Sequence, residues 1–115
     1  MSWTIWHNPR CSKSRQTLAL LQSKGVDPTV RRYLEDPPSA AEIKAALEMM
    51  GVEPRGLMRT KEAAYREQNL GGASVSADTL VAAMANTPKL IERPLVIHQG
   101  RAALGRPPET VLTLL

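Results

Sequence analysis

A chain of 115 residues and 12.6 kDa has room for one domain, and folding it buries roughly two-thirds of the surface exposed by the unfolded form. At 43% hydrophobic and 23% charged residues it is neither a disordered tail nor a fibre. The longest unbroken apolar run, residues 80–85, is too short to span a bilayer. Residues 1–10 lack the layout of a secretory signal, so the expected location is cytoplasmic, with no membrane contact. Fifteen basic against eleven acidic side chains leave a net charge of +4, compatible with nucleic acid, an anionic substrate or solubility alone. The one cysteine, Cys11, rules out an internal disulfide and a thiolate zinc site, so its chemistry needs an outside partner.

Along the chain, Trp3-Thr4-Ile5-Trp6 predicts a short strand buried on both faces and ended by Asn8-Pro9. A helix begins at or beside Cys11, carries Leu18 and Leu21 at helical spacing and stops at Gly25. Residues 29–34 form a second strand candidate, closed by Asp36-Pro37-Pro38. Ser39 and Glu42 then match a capping box. Ile43, Ala46, Leu47 and Met50 give the following helix an apolar face, and Gly51 ends it. Residues 52–69 hold one or two short helices, and Gly71-Gly72 is a break. Ser76 or Asp78 caps a helix reaching about Ala85. Leu95-Val96-Ile97 and Ala102-Ala103-Leu104 form a hairpin around Gln99-Gly100. A last helix is expected after Arg106-Pro107-Pro108. The order is a βαβ unit, a helical middle and a ββα unit around a four-stranded mixed sheet. This is an α/β thioredoxin-like plan in one domain, 1–115, with a helical insertion at about 35–90.

A thiol reacts as its thiolate, which the exposed N–H groups and dipole of a helix N-terminus favour. Cys11 stands at such a terminus, in the polar stretch Asn8-Pro9-Arg10-Cys11-Ser12-Lys13-Ser14-Arg15, whereas a core cysteine has apolar neighbours. His7, Arg10, Lys13 and Arg15 are all expected to lower its pKa, and Ser14 to offer its hydroxyl to the sulfur. His98 and the methionines read as structural, and Arg31, Arg32, Arg55, Arg66 and Arg101 read as surface charges. A phosphatase-type oxyanion loop requires cysteine and arginine separated by five residues, and that position here is Thr17. No Cys-x-x-Cys pair, glycine-rich phosphate loop or metal-binding histidine cluster is present.

The segment from His7 to Arg15, with Arg59, Glu92-Arg93-Pro94 and Gly105-Arg106-Pro107, resembles the glutaredoxin-coupled arsenate reductase family. The likeness runs the length of the chain, through Tyr33-Leu34-Glu35 and Thr110-Val111-Leu112. It implies that Cys11 is the nucleophile, that Arg59, Arg93 and Arg106 bind the oxyanion, and that His7, with Ser14 and Arg15, tunes the thiol. It also makes Pro94 a candidate cis-proline facing the cysteine. The implied substrate is arsenate or a similar oxyanion. Glutathione would be the co-substrate and glutaredoxin the recycling partner, with no tightly bound cofactor and no metal. Members devoted to arsenic resistance commonly carry cysteine where Gly105 stands, and the Arg-Cys-Ser-Lys-Ser wording resembles a chromosomal branch.

Two other readings share this fold. One is a glutathione-dependent thiol oxidoreductase, which has no use for three oxyanion arginines. The other is a Spx-like regulator that binds RNA polymerase, whose sensing members generally carry Cys-x-x-Cys where this chain has Ser14. Direct nucleic-acid binding is disfavoured by dispersed basic residues and by only two tryptophans and two tyrosines for stacking.

Overall fold

The structure, a computed structural model, describes residues 2–115. It contains two compact units: the residues up to Asp36 together with Arg93–Leu115, and the continuous segment Pro37–Glu92.

The first unit holds β1 (Trp3–Trp6), α1 (Ser12–Ser23), β2 (Thr29–Arg31), β3 (Leu95–His98) and β4 (Arg101–Leu104), followed by a 3-10 helix at Pro108–Leu114. The sheet runs β2-β1-β3-β4. β1 is parallel to β2 and antiparallel to β3, and β3 is antiparallel to β4. Trp6 pairs with Arg31 on one side and Leu95 on the other. The chain leaving β1 therefore emerges at one end of the sheet, between the exit of β2 and the entry of β3. The arrangement is thioredoxin-like.

Ile5, Leu21, Val96, Val111 and Leu114 form the buried core of this unit, with Trp3, Leu18, Val26 and Ala103 packed against it. Each fully buried aliphatic side chain there contributes about 1.5–3 kcal/mol of apolar transfer. His98 is structural: its Nδ1 donates to the Ser2 carbonyl at 2.9 Å and its ring stacks on Trp3 at 3.9 Å between centroids. At the hairpin, Gln99 and Gly100 take φ of 50° and 74°, the paired left-handed conformations of a tight turn whose twist matches the strands.

The second unit holds α2 (Ala40–Met50), a 3-10 turn at Pro54–Leu57, α3 (Ala63–Glu67), α4 (Ala77–Asn86) and a second 3-10 turn at Pro88–Leu90. The capping box is formed at α2: Glu42 N–H donates to Ser39 Oγ at 3.1 Å and Ser39 N–H to Glu42 Oε1 at 2.9 Å. Gly51 ends the helix at φ 70°, a conformation that costs glycine little. α2 packs on α4 through faces that include Ile43, Leu47, Leu80 and Met84, all buried.

Three expectations are corrected. β2 stops at Arg31 rather than residue 34, because the N–H groups of Glu35 and Asp36 both turn back to the Arg32 carbonyl at 2.9 Å and Tyr33 drops into the core. The last element is a 3-10 helix rather than an α-helix. It is seven residues long, with Pro108 in its first turn and β-branched Thr110, Val111 and Thr113, which lowers α-helical propensity. Arg55 and Arg101, read as surface charges, are stitches. Arg55 donates from Nε to Tyr65 Oη at 3.0 Å and from a terminal nitrogen to the carbonyls of Leu70 and Gly72 at 2.8 Å each. Arg101 donates to the carbonyls of Thr113 and Leu114 at 3.1 and 3.2 Å, satisfying C-terminal carbonyls that a helix end leaves open.

Replacing Ser39 by Ala removes one half of the capping box and should cost about 1 kcal/mol of stability, read as a lower urea midpoint at unchanged slope; an unchanged midpoint would show that the box contributes nothing.

Candidate functional site

Cys11 is the N-cap residue of α1, extended at φ −94° and ψ 123°, and its side chain is partly exposed. The turn leading to it is built on Asn8, whose carbonyl accepts from Cys11 N–H at 3.0 Å and whose Oδ1 accepts from Arg10 N–H at 3.0 Å. Asn8 N–H in turn donates to Ser14 Oγ at 3.0 Å. Asn-Pro signals a turn in the sequence, but the three-way role of Asn8 arises only when α1 folds back beside it.

Burial of the sulfur raises the Cys11 pKa, yet the net shift is downward. The backbone N–H of Ser14, the charge of Arg93, the backbone N–H of Lys13 and a hydrogen bond from the Arg93 side chain together outweigh desolvation. The backbone groups do not form a regular side-chain cap; they act as oriented dipoles at the open end of the helix. Arg93 arrives from the neighbouring strand entry, immediately before β3. The Arg93–Pro94 and Arg106–Pro107 peptide bonds are both cis. Arg106 donates from a terminal nitrogen to the Arg93 carbonyl at 3.2 Å, so Cys11, Arg93 and Arg106 form one connected group.

The remaining expected tuners work differently from the sequence reading. His7 is buried, and burial, with the charges of Arg32 and Arg15, lowers its pKa from 6.5. Its surroundings therefore favour the neutral imidazole over the charged one. Its Nδ1 lies 2.6 Å from Ser14 Oγ, and that hydroxyl, occupied by His7 and Asn8, holds the turn in place while the Ser14 backbone serves the sulfur. Arg15 donates to the Pro9 carbonyl at 2.9 Å and bears on His7. Arg32, read as a surface charge, also acts on His7. Arg59 belongs to the second unit, where its N–H donates to the Leu90 carbonyl at 2.7 Å and its guanidinium pairs with Glu62 at 3.2 Å. Gly105 is packed so closely that a Cβ there would meet Thr17 Cγ2 and Pro94 Cγ at 2.9 Å each, so any side chain requires these neighbours to shift.

The ArsC family model matches residues 6–114. The chain belongs to the ArsC family. An arsenate reductase of Haemophilus influenzae is 45% identical over the whole of both chains. The uncharacterized protein YfgD of Escherichia coli is 51% identical, over 96% of this chain and 94% of its own. The solved structure of an arsenate reductase from Vibrio cholerae superposes with a TM-score of 0.98 at 54% identity, covering 100% of this chain and 98% of that one. This ArsC domain thus shares the fold of arsenate reductases and is similar to them in sequence along its whole length. Among the described residues, no helix is long and apolar enough to cross a membrane, and no group of three or more His, Cys, Asp or Glu side chains could hold a metal ion.

Two outcomes follow from these electrostatics. Arg93→Ala should move the pH midpoint of Cys11 alkylation by iodoacetamide upward, while Arg93→Lys keeps most of the wild-type value; an unmoved midpoint in the alanine variant would remove Arg93 from the thiolate. His7 has a folded pKa below its unfolded value, so its neutral form contributes stability that is present above pH 6.5 and lost as pH falls through that region towards the folded pKa. Thermal unfolding should show this acid-side loss in the wild type and a flatter profile in His7→Gln.

Proposed function

We propose that this ArsC protein reduces arsenate to arsenite with Cys11 as its single nucleophile, using external thiols of the glutathione and glutaredoxin type. The observation that supports this most is the cation and N–H set around one sulfur, Arg93 and the α1 terminus, which lowers its pKa, with Arg106 tied to Arg93.

Arsenate is a tetrahedral anion, and guanidinium forks match its oxygens while keeping their charge at working pH. Arg93 and Arg106 would draw it to the sulfur, and Arg59 joins this proposal on the family resemblance. The Cys11 thiol and singly charged dihydrogen arsenate then give a singly charged sulfur–arsenate adduct and one water, forming an S–As bond and losing one As–O bond. A glutathione thiol next attacks Sγ. The S–As electron pair leaves on arsenic, reducing it from the pentavalent to the trivalent state, the thiol proton goes to the departing arsenite, and a Cys11–glutathione disulfide remains. A second thiol, supplied by glutaredoxin, exchanges with that disulfide and restores Cys11. The arginines stabilise charge that builds on oxygen in the first step. A thiol cycle of this kind needs a reducing compartment, which supports a cytoplasmic location.

The test is arsenate-dependent NADPH oxidation in the presence of glutathione, glutaredoxin and glutathione reductase. Wild type should turn over and Cys11→Ser should not. Arg93→Ala and Arg106→Ala should each lower kcat/KM on the order of 10²-fold, the scale of one lost transition-state charge contact. Turnover in Cys11→Ser, or none in folded wild type, would defeat the reading.

A further inference from the structure

A cleft of about 240 Å³ opens beside the Cys11 turn, walled by His7, Asn8 and Arg10 on one side and by Arg32, Leu34 and Glu35 on the other. Every wall residue belongs to the first unit. We infer that this cleft seats the external thiol, a small peptide thiol bearing carboxylates and an ammonium group as glutathione does. The inference rests on the proposed thiol-dependent reduction.

Position supports it. Trp6 at the end of β1 is flanked by Arg31 of β2 and Leu95 of β3. The segment after β2 carries Arg32, and the segment before β3 carries Arg93. Cys11 follows β1, so the arsenate-binding arginine and the cleft approach its turn from opposite sides. A thiol attacking a sulfur enters in line with the bond that breaks, on the face away from the leaving group. The cleft reaches the turn through Asn8, Pro9 and Arg10, the residues directly before Cys11, so a thiol seated there approaches from the β2 side while Arg93 comes from the β3 side.

The wall chemistry fits the ligand class. The Arg10 and Arg32 guanidinium groups are exposed and, among the described residues, neither is tied by a hydrogen bond or ion pair to another residue, whereas neighbouring Arg31 is held by Asp36. Two such forks suit the carboxylates of a peptide, Glu35 suits its ammonium, and Leu34, 46% exposed, suits a methylene chain. Two cations and one anion on the walls select a ligand of the opposite balance. At about 240 Å³ the volume lies just below the roughly 300 Å³ at which small-molecule sites begin, enough to seat part of a small peptide, whereas a folded partner would need a surface of about 800 Å².

The experiment measures KM for glutathione at saturating arsenate, and binding of S-methylglutathione by calorimetry, in wild type, Arg10→Ala, Arg32→Ala, the double variant and Arg32→Lys. The expected result is a rise in KM for glutathione of about tenfold in each alanine variant, corresponding to about 1.4 kcal/mol, and a larger rise in the double variant. Binding of S-methylglutathione should weaken in parallel, with partial recovery in Arg32→Lys. KM for arsenate should stay at its wild-type value. Unchanged KM for glutathione in the double variant, with turnover intact, overturns this site and leaves the reductase reading standing. Arginine-dependent binding of S-methylglutathione without arsenate turnover keeps the site and overturns the reductase reading. A rise confined to KM for glutaredoxin overturns it in favour of a protein-docking surface.

Discussion

A thiolate partly withdrawn from water needs compensation, and much of the first unit is arranged around that need at Cys11. Burial alone pushes the thiol pKa up, and two backbone N–H groups at the start of α1 together with Arg93 reverse the direction. The donors come from two places far apart in sequence, the residues directly after Cys11 and the segment entering β3. Only a sheet that sets β3 beside β1 brings them together. The hydrophobic core under Ile5 and Val96 therefore does electrostatic work at a distance, since it fixes the strand order that delivers the guanidinium.

The turn before Cys11 is as constrained as the sulfur. Asn8 uses its N–H, its carbonyl and its side-chain oxygen on Ser14, Cys11 and Arg10, and His7 closes the set through the Ser14 hydroxyl. A charged imidazole would disturb this arrangement, and burial together with the guanidinium groups of Arg32 and Arg15 favours the neutral form of His7. Positive charge near the site thus has two uses: Arg93 stabilises the thiolate, while Arg32 and Arg15 preserve a neutral hydrogen-bonded support beside it. Counting basic residues near Cys11 along the chain merges these uses, which is why His7, Lys13 and Arg15 look like direct tuners in the sequence.

What was legible in the sequence was local. Cys11 at a helix start, the Ser39–Glu42 box, the Gly51 stop, the Ser76 cap and the Gln99–Gly100 hairpin each depend on residues within a few positions of one another, where backbone hydrogen bonding and glycine conformations leave a recognisable pattern. Family membership was legible as well, because the motifs around His7, Arg93 and Arg106 lie in fixed order along the chain. The illegible parts involve side chains reaching distant carbonyls. Arg55 meets Leu70 and Gly72, and Arg101 meets Thr113 and Leu114, pairs with no period or motif, so both arginines resemble solvated charges until the chain has folded.

By itself the sequence determined the secondary elements to within a few residues, the position of the single cysteine at a helix start and the ArsC resemblance, since these follow from residue type and short spacing. The tertiary structure alone decided that Ser14 serves the sulfur through its backbone rather than its hydroxyl, that burial and two guanidinium groups disfavour a charged His7, and that Arg93 rather than the nearer cations reaches the thiol. Those outcomes depend on burial and on which strand lies next to which, and an electrostatic interaction is set by distance and solvent exposure in space, which separation along the chain does not encode.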